Sequence, residues 1–566
     1  MLIREAKQED CKEIFDWWND PLTRKMMYDT ADVEWDVHQE WFNKITADED
    51  VLLCLGCDND GKVGVVRFDR KSELSFEVSI NLNPDRRGEK LASIILAKSE
   101  EFFEHIHGEK YIFAKVRVEN IASKKSFLKA GYIYNQAPPL DINGMQNFML
   151  GEQIFLEKNK GVMDNKNTLA IFGGKKVRSD PMPLRRALGS EELEMVNEVT
   201  SHYVSTGEDL PYLGIYNTQF SERFVEFMGC EGFASPVKSG TAAVYIALAA
   251  LDLPKGSKVL VSPVTDSGPI AALLNLDLIP IIVDAEYGSW NISLNTFKNS
   301  DLRNSAALLL THAGGEPTKD TKEIVKLAQS YGLLVVEDAA QAPGAKISGR
   351  CVGTFGDISA FSTMYRKSII SGSQGGLVYT RCPELGRRVL AHVDKGKPIW
   401  RKDLDLRDPN YCLFPGLNWM QDEISCGIGI ASLDKLSDVV SKRYKWTKKF
   451  IDRLLMESKV CKPYNLNEGF SVFFFSIFVD CSIISCDKTT FAKAVQAEGI
   501  GLGEHYGCVV SSWDWLHKIL GFTQSSPNAE YIRDNSFNLY VNEKYGDLEI
   551  NEIVEAIVKV ENHYLK

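Results

Sequence analysis

Beyond residue 168 short apolar runs recur along the chain, KVLVSPV at 258–264, IPIIVDA at 279–285, AALLLTHA at 306–313 and LLVVEDAA at 333–340, with helical patterns between them. Near-continuous apolar strands alternating with helices predict βαβ units and a parallel sheet covered on both faces. Residues 1 to 153 follow another rhythm, read as helix, strands, helix, strand, helix. The chain then turns polar through LEKNKGVMDNKNT, which has few groups to bury. The pattern predicts an α/β protein throughout: a first domain over 1–153, a linker over 154–168 and a larger domain over 169–566. No short-period repeat or low-complexity tract breaks this organisation.

Length agrees, because 566 residues exceed what one core can organise, roughly 250 to 300. A hydrophobic share of 44% and a charged share of 25% are those of an ordinary globular protein. The net charge of −12 argues against a nucleic-acid or anionic-membrane partner, which would need a positive surface. The opening MLIREAKQEDCKEIF lacks a signal-like apolar stretch, so a cytoplasmic location is expected. The longest helix-like apolar run, 242–251, falls short of the ~18 residues a bilayer demands. Twelve cysteines are scattered, and the CxxC of Cys54 and Cys57 lies in VLLCLGC without a second pair, which favours a buried strand over a metal site.

In parallel sheets ligands bind beyond the carboxyl ends of the strands, so the residues after each apolar run are where chemistry is expected. After LLVV come Glu337, Asp338 and Gln341; farther on, Phe361 and Ser362 precede Lys367 and a turn over 372–376. Ser239, Gly240 and Thr241 open the strongly helical TAAVYIALAAL, whose first N–H groups and dipole suit an anion. Each residue also has a plainer reading: a surface lysine, an aspartate or serine capping a helix.

Taken together, IFGGKKVRSDPMP, VKSGTAAVYIAL, THAGGEP, VVEDAAQAPGAKISGRCVGTFGDISAFS and GLNWMQDEISCGIGIASLDKL resemble, in order and spacing, the DegT/DnrJ/EryC1/StrS sugar aminotransferases of the aspartate-aminotransferase fold. The resemblance implies a pyridoxal-phosphate (PLP) enzyme with a large subdomain over about 190–430 and a small one over 431–566. It makes Lys367 the Schiff-base lysine and later acid/base, and Asp338 the partner of the pyridinium nitrogen. It sets Gln341 against the ring, and Ser239, Gly240, Thr241 and Ser362 around the phosphate. Asn418 resembles a residue that family members lend across a homodimer interface. His312 is either structural or adjacent to the ring. The chain also departs from the pattern: Asp266 stands where an aromatic usually stacks on the ring, Met420 replaces an arginine, and Ser373 and Gln374 replace a single glutamate. These changes point to an altered substrate pocket or ring clamp.

Residues 1–150 resemble GNAT N-acetyltransferases, whose strand–helix turn offers backbone N–H groups to the pyrophosphate of acetyl-CoA. In NPDRRGEKLAS, Arg87, Gly88 and Ala92 match that turn while Lys90 replaces its middle glycine; VENIASKKSFLKAGY, with Asn120, Ser123, Phe127, Gly131 and Tyr132, matches a second CoA-binding segment. Glu77 in LSFEVSI is the candidate base, and Phe127 occupies the place of the family's frequent acidic tyrosine. Trp35, His38 and Trp41 resemble the acceptor wall of acetyltransferases that modify nucleotide-linked amino sugars, or else they simply pack. One half would make a primary amine and the other would consume one. The expectation is glutamate-dependent amination of a keto or aldehyde sugar in nucleotide-linked form, then N-acetylation for a lipopolysaccharide, capsule or other surface glycan. The alternatives are a PLP-dependent sugar dehydratase, or a silent PLP-fold scaffold serving the acetyltransferase.

Overall fold

The computed structural model describes the chain apart from residues 27–31, 72–74, 109, 118–119, 131, 135–144 and 151–167. The expected linker therefore lies almost wholly outside the described residues. The chain divides into two compact units, 1–168 with 172–174, and 169–171 with 175–566.

The first unit is built on seven strands: β1 (Leu2–Glu5), β2 (Val51–Asp58), β3 (Gly61–Arg70), β4 (Ser75–Leu82), β5 (Tyr111–Arg117), β6 (Tyr132–Tyr134) and β7 (Met145–Leu150), in the order β1-β2-β3-β4-β5-β7-β6. Alternation along the strands separates two cores. Phe68, Phe76 and Val78 face the helix Ala92–His107, while Leu53, Leu55 and Val65 face the helices Cys11–Trp18 and Trp35–Thr46. All pairings are antiparallel except β4 with β5, which run parallel and pair only over Ser75–Glu77 and Tyr111–Phe113. Beyond Glu77 no β4–β5 ladder continues among the described residues, so β4 stays paired with β3 to Leu82 while its edge toward β5 has no partner strand. Cys54 is buried within β2, as the apolar context of the CxxC required.

The second unit carries the expected sheet. Its strands are β8 (Phe233–Val237), β9 (Lys258–Val261), β10 (Ile279–Ile282), β11 (Ala307–Thr311), β12 (Leu334–Asp338), β15 (Ile358–Ser362) and β16 (Gly376–Thr380), ordered β10-β9-β11-β12-β15-β16-β8. Only β16 runs against its neighbours. Between β12 and β15 a small hairpin, β13 (Lys346–Ile347) and β14 (Arg350–Cys351), turns through Ser348 and Gly349 at φ 49° and 81°. The helix Gly240–Ala250 is apolar on nearly every side and belongs to the main core, which explains why its sequence shows no polar face. A four-stranded antiparallel sheet of β17 (Cys461–Pro463), β18 (Phe475–Val479), β19 (Leu502–Gly503) and β20 (Ser536–Leu539) follows, ordered β17-β18-β20-β19. The 35-residue helix Glu423–Glu457 runs from one sheet system to the other, and the division expected at 430/431 falls inside it.

Candidate active sites

The carboxyl ends of β12 and β15 lie side by side, pairing Asp338 with Ala360. Asp338 is buried, and its carboxylate accepts from the Ala340 amide at 3.0 Å and from Thr265 Oγ1 at 3.4 Å. Burial raises its pKa, with the Ala340 amide and the positive charge of Lys367 acting against that rise. Lys367 follows β15 and is buried too; its ammonium lies 4.2 Å over the Phe473 ring. Burial pushes its pKa down to about 8, opposed by Asp338 and then by Asp266. The acid and the lysine thus feel each other across one site. A buried carboxylate short of a full cation, facing a buried amine short of an acceptor, is a donor set that a protonated ring nitrogen and an aldehyde carbon would complete.

The helix Gly240–Ala250 begins beside this pair. Ser239 caps it by accepting from the Ala242 amide at 3.0 Å, and its carbonyl takes the Ala243 amide, so the Gly240 and Thr241 amides remain as the free donors of the first turn. A Cβ on Gly240 would stand 2.7 Å from the Ser362 Cβ and 2.9 Å from its Oγ; only glycine lets the helix start approach that hydroxyl. Gly268 has the same relation to Thr241 Oγ1, at 2.5 Å. Ser239, Gly240, Thr241 and Ser362 are thereby gathered into one cradle that fits a phosphate.

The other expected residues occupy more specific places. Gln341 is held by the Gly314 amide, which donates to its Oε1 at 2.7 Å, and its Nε2 donates to Tyr506 Oη at 3.2 Å. His312 Nδ1 accepts from the Thr318 amide at 3.0 Å and Nε2 meets Glu337 Oε2 at 3.1 Å, so neither ring nitrogen is left for a ligand. Asp266 is exposed and caps the helix Ser267–Asn275 through the Gly268 amide at 3.1 Å, next to Thr265, which touches Asp338. Asn418 is exposed as well; its Oδ1 accepts from the Met420 amide at 3.1 Å, and it lines a cavity of about 320 Å³ with Leu210, Tyr212, Lys238 and Gln421.

Sequence reasoning named Glu337 at the strand end without giving it a role, and missed Phe473. Glu337 is fully buried and accepts from the amides of Gly353, Phe355 and Gly356 at 2.7, 2.7 and 2.6 Å. Burial pushes its carboxyl up, but His312 and those amides outweigh burial and hold it below its ordinary value. The signal available was the period of two: in β12, Glu337 and Asp338 point to opposite faces, so one of the two had to serve the scaffold.

In the first unit Gly88 has φ +88° and Lys90 φ +61°, so the turn before the helix Ala92–His107 has the compact form that such an anion site uses. Arg87 Nη1 pairs with Asp20 at 2.6 Å and Nη2 touches Thr23 Oγ1. Ala92 is the first helical residue, and Asn120 Oδ1 caps the helix Ile121–Lys129 by accepting from the Ser123 amide at 3.0 Å. Glu77 is the last residue of β4 that pairs with β5, half-buried, with Lys71 Nζ at 3.3 Å. Across the ladder it faces Asp69, itself paired with Arg67 at 2.9 Å; Arg67 lies 5.8 Å from the Trp41 ring, and Trp41 lies 4.4 Å from Trp18. His38 is buried among Phe15 and Trp41, and burial lowers its pKa, which marks a packed neutral ring. Phe127 is buried with its edge against Tyr132, whose hydroxyl donates to Glu100. Among the described residues no group of His, Cys, Asp and Glu could hold a metal, and no helix is long and apolar enough to cross a membrane.

Comparison with known proteins matches residues 187–558 to the DegT/DnrJ/EryC1/StrS aminotransferase family and residues 1–133 to the Acetyltransferase (GNAT) domain. GDP-perosamine synthase of Escherichia coli O157:H7 is 32% identical over 45% of this chain and 66% of its own length. The Bacillus subtilis spore coat polysaccharide biosynthesis protein SpsC is 25% identical over 65% of this chain and 94% of its own. Among solved structures, an aminotransferase from Psychrobacter cryohalolentis superposes with a TM-score of 0.62 at 24% identity, covering 68% of this chain and 100% of that one. The E. coli GDP-4-keto-6-deoxy-D-mannose-3-dehydratase with bound hydrated PLP superposes at 0.58 and 22% identity, covering 65% and 97%. The larger unit has the fold of the PLP aminotransferases. PLP is the cofactor of that half and acetyl-CoA the cosubstrate of the GNAT half.

Proposed function

From a chain that belongs to the DegT/DnrJ/EryC1/StrS aminotransferase family and carries a GNAT domain, we propose a bifunctional enzyme that aminates a keto or aldehyde sugar and then acetylates the new amine. The observation that carries this reading is the burial of Lys367 and Asp338 beyond the ends of adjoining strands, where each charge shifts the other, next to the free amides of Gly240 and Thr241. PLP, when bound, supplies an electron sink that weakens the substrate Cα–H bond. Ser239, Gly240, Thr241 and Ser362 hold its phosphate, and Asp338 keeps the ring nitrogen protonated. Lys367 anchors the cofactor and, once freed, carries the proton between the two carbons of the amine–ketone exchange. Gln341, fixed at both ends of its amide, supports the ring.

In the GNAT half, Arg87, Gly88, Ala92 and Asn120 line the acetyl-CoA side, and Glu77 takes the ammonium proton of the acceptor. Trp18, Trp41 and Arg67 offer a partly exposed wall to a flat, anionic acceptor, which suits a nucleotide-linked amino sugar. Glutamate is the proposed amino donor, and the product an acetamido sugar for a surface glycan made in the cytoplasm. A homodimer is proposed through the face around Asn418, where Tyr212, Leu413 and Leu417 are 69%, 59% and 59% exposed; apolar groups so uncovered suit a second copy.

The test is direct: incubate the protein with candidate nucleotide-linked keto sugars, glutamate and acetyl-CoA, and follow the products by mass. A gain of an amine, then of an acetyl group when acetyl-CoA is present, supports the proposal. Loss of water from the sugar without amination would favour the dehydratase alternative, and a protein that stays colourless with added PLP would favour the scaffold.

A further inference from the structure

Two guanidinium groups that nothing in the sequence singled out converge behind Lys367. Arg185, in the segment before the helix Ser190–Thr206, donates from Nη1 to the Tyr365 carbonyl at 2.9 Å and from Nη2 to the Ser368 carbonyl at 3.0 Å. One planar fork thus bridges the two carbonyls that bracket Lys367. Its Nε donates to Glu543 Oε1 at 3.1 Å, and Glu543 Oε2 in turn accepts from Arg443 Nε at 3.1 Å and Nη2 at 2.8 Å. Arg443 Nη1 lies 3.4 Å from both Ser368 Oγ and the carbonyl of Val472, the residue before the Phe473 ring that underlies the lysine. The Arg443 side chain is 2% exposed and that of Arg185 14%.

One buried and one largely buried cation sharing a carboxylate are costly unless every donor finds an acceptor. Here the surplus donors go to the main chain and a hydroxyl of the loop that carries Lys367, and to the Val472 carbonyl beside the Phe473 ring under that lysine. Arg178, earlier in the same segment, behaves as an ordinary staple: it joins Glu549 and Glu552 and donates to the Asp180 and Pro181 carbonyls, away from the Lys367 loop. The backbone next to Arg185 is strained, since Arg186 has φ +47°, a left-handed conformation unusual for a side chain of that size. Strain of this kind persists only where surrounding contacts enforce it.

We propose that Arg185, Glu543 and Arg443 form a positioning clamp that fixes the Lys367 loop during the part of the reaction in which the lysine is detached from the cofactor. The inference rests on the reading of Lys367 as the cofactor-bearing lysine. While attached, Nζ is held by its own covalent bond; once the substrate amine displaces it, only the loop determines where Nζ stands. The clamp therefore acts on proton transfer by the free amine and leaves cofactor capture and substrate binding alone.

The decisive variant is Arg185→Lys in the full-length holoenzyme, because a lysine is a point donor and cannot span both carbonyls. Amination kcat is expected to fall about a hundredfold, as about 1 Å of misplacement does elsewhere. The KM for glutamate should stay within about twofold, since substrate binding is untouched. Bound PLP and acetylation of a supplied amino sugar stay at parental levels, and the isotope effect with α-deuterated glutamate increases. Arg178→Lys, the control, lowers the melting temperature but moves neither kcat nor the isotope effect. If Arg185→Lys does not fold, Glu543→Gln, which keeps the shape and removes the charge, is held to the same expectations. The clamp is overturned if the variant keeps parental kcat and isotope effect, if kcat falls only in step with lost PLP, or if Arg178→Lys reproduces the effect. Borohydride reduction of the parent followed by peptide mapping separates the two layers. Label on a lysine other than Lys367 sinks the site assignment, whereas label on Lys367 with unmoved kinetics sinks the clamp alone.

Discussion

Apoenzyme stripped of PLP and then given it back should capture it covalently at a rate that follows the neutral fraction of Lys367. Burial pushes that amine down to about 8, with Asp338 and Asp266 acting in the opposite direction. Only the free base attacks an aldehyde, so capture should rise with pH and level off just above 8. About half of the amine is neutral at pH 8 and about 1% at pH 6, a drop in rate of about fiftyfold, whereas an exposed lysine titrating near 10.4 would be about a hundred times slower at pH 8. Stopped-flow absorbance at several PLP concentrations separates this step from the initial association. Asp266→Asn removes a negative charge that favours the ammonium, so the plateau should arrive at lower pH. A rate that keeps climbing past pH 10, or a profile unchanged by Lys367→Ala, would refute the reasoning.

Lys367→Ala should abolish amination while leaving acetylation of a supplied amino sugar intact; loss of both in product assays would contradict two independent sites. Gly240→Ala puts a methyl 2.7 Å from the Ser362 Cβ and should weaken PLP binding at least tenfold by fluorescence titration, with no such effect from Gly256→Ala, where the added methyl meets open space although its φ of 81° carries some strain. Glu77→Gln should lower acetylation kcat by about a hundredfold or more with little change in acetyl-CoA affinity, the range expected for losing a general base. Glu498 is buried and accepts from the Ala170 and Val177 amides at 2.7 and 3.1 Å and from Lys559 Nζ at 2.8 Å. Glu498→Ala should cost about 3 kcal/mol by urea denaturation, because it leaves two amides unpartnered and takes the carboxylate from the half-buried Lys559 ammonium, which keeps only the Lys175 carbonyl at 2.7 Å.

The parallel sheet was legible because its central strands β9, β11 and β12 are buried on both faces and therefore read as unbroken apolar runs. Lys367 and Asp338 stood out because chemistry in such sheets gathers past the strand ends, and the resemblance ranked Asp338 above its neighbour Glu337. What the chain could not announce were contacts between residues far apart in sequence. Arg185 and the Tyr365 carbonyl are 180 positions apart, and an arginine in a polar segment carries no local sign that it is buried. Asp266 looked like a misplaced ring partner, yet its first task is to cap the helix Ser267–Asn275, a local hydrogen bond that TDSG did encode. His312 shows the opposite difficulty: a histidine after a strand suggests a ligand, and only the distances reveal that Thr318 and Glu337 use both nitrogens.

The helix Glu423–Glu457 has a consequence for how the larger half can be dissected. At its start Glu423 accepts from Tyr203 Oη and from the Tyr216 and Asn217 amides, at 2.8, 3.0 and 2.9 Å, while far along it Trp446 Nε1 donates to the Gly546 carbonyl at 2.9 Å. A single rod is thus shared by two sheets that would otherwise count as separable pieces. Fragments cut within it should be expressed as insoluble halves, and complementation by co-expression would require each half to rebuild the same rod. Insertions and permuted termini belong instead at exposed turns outside it.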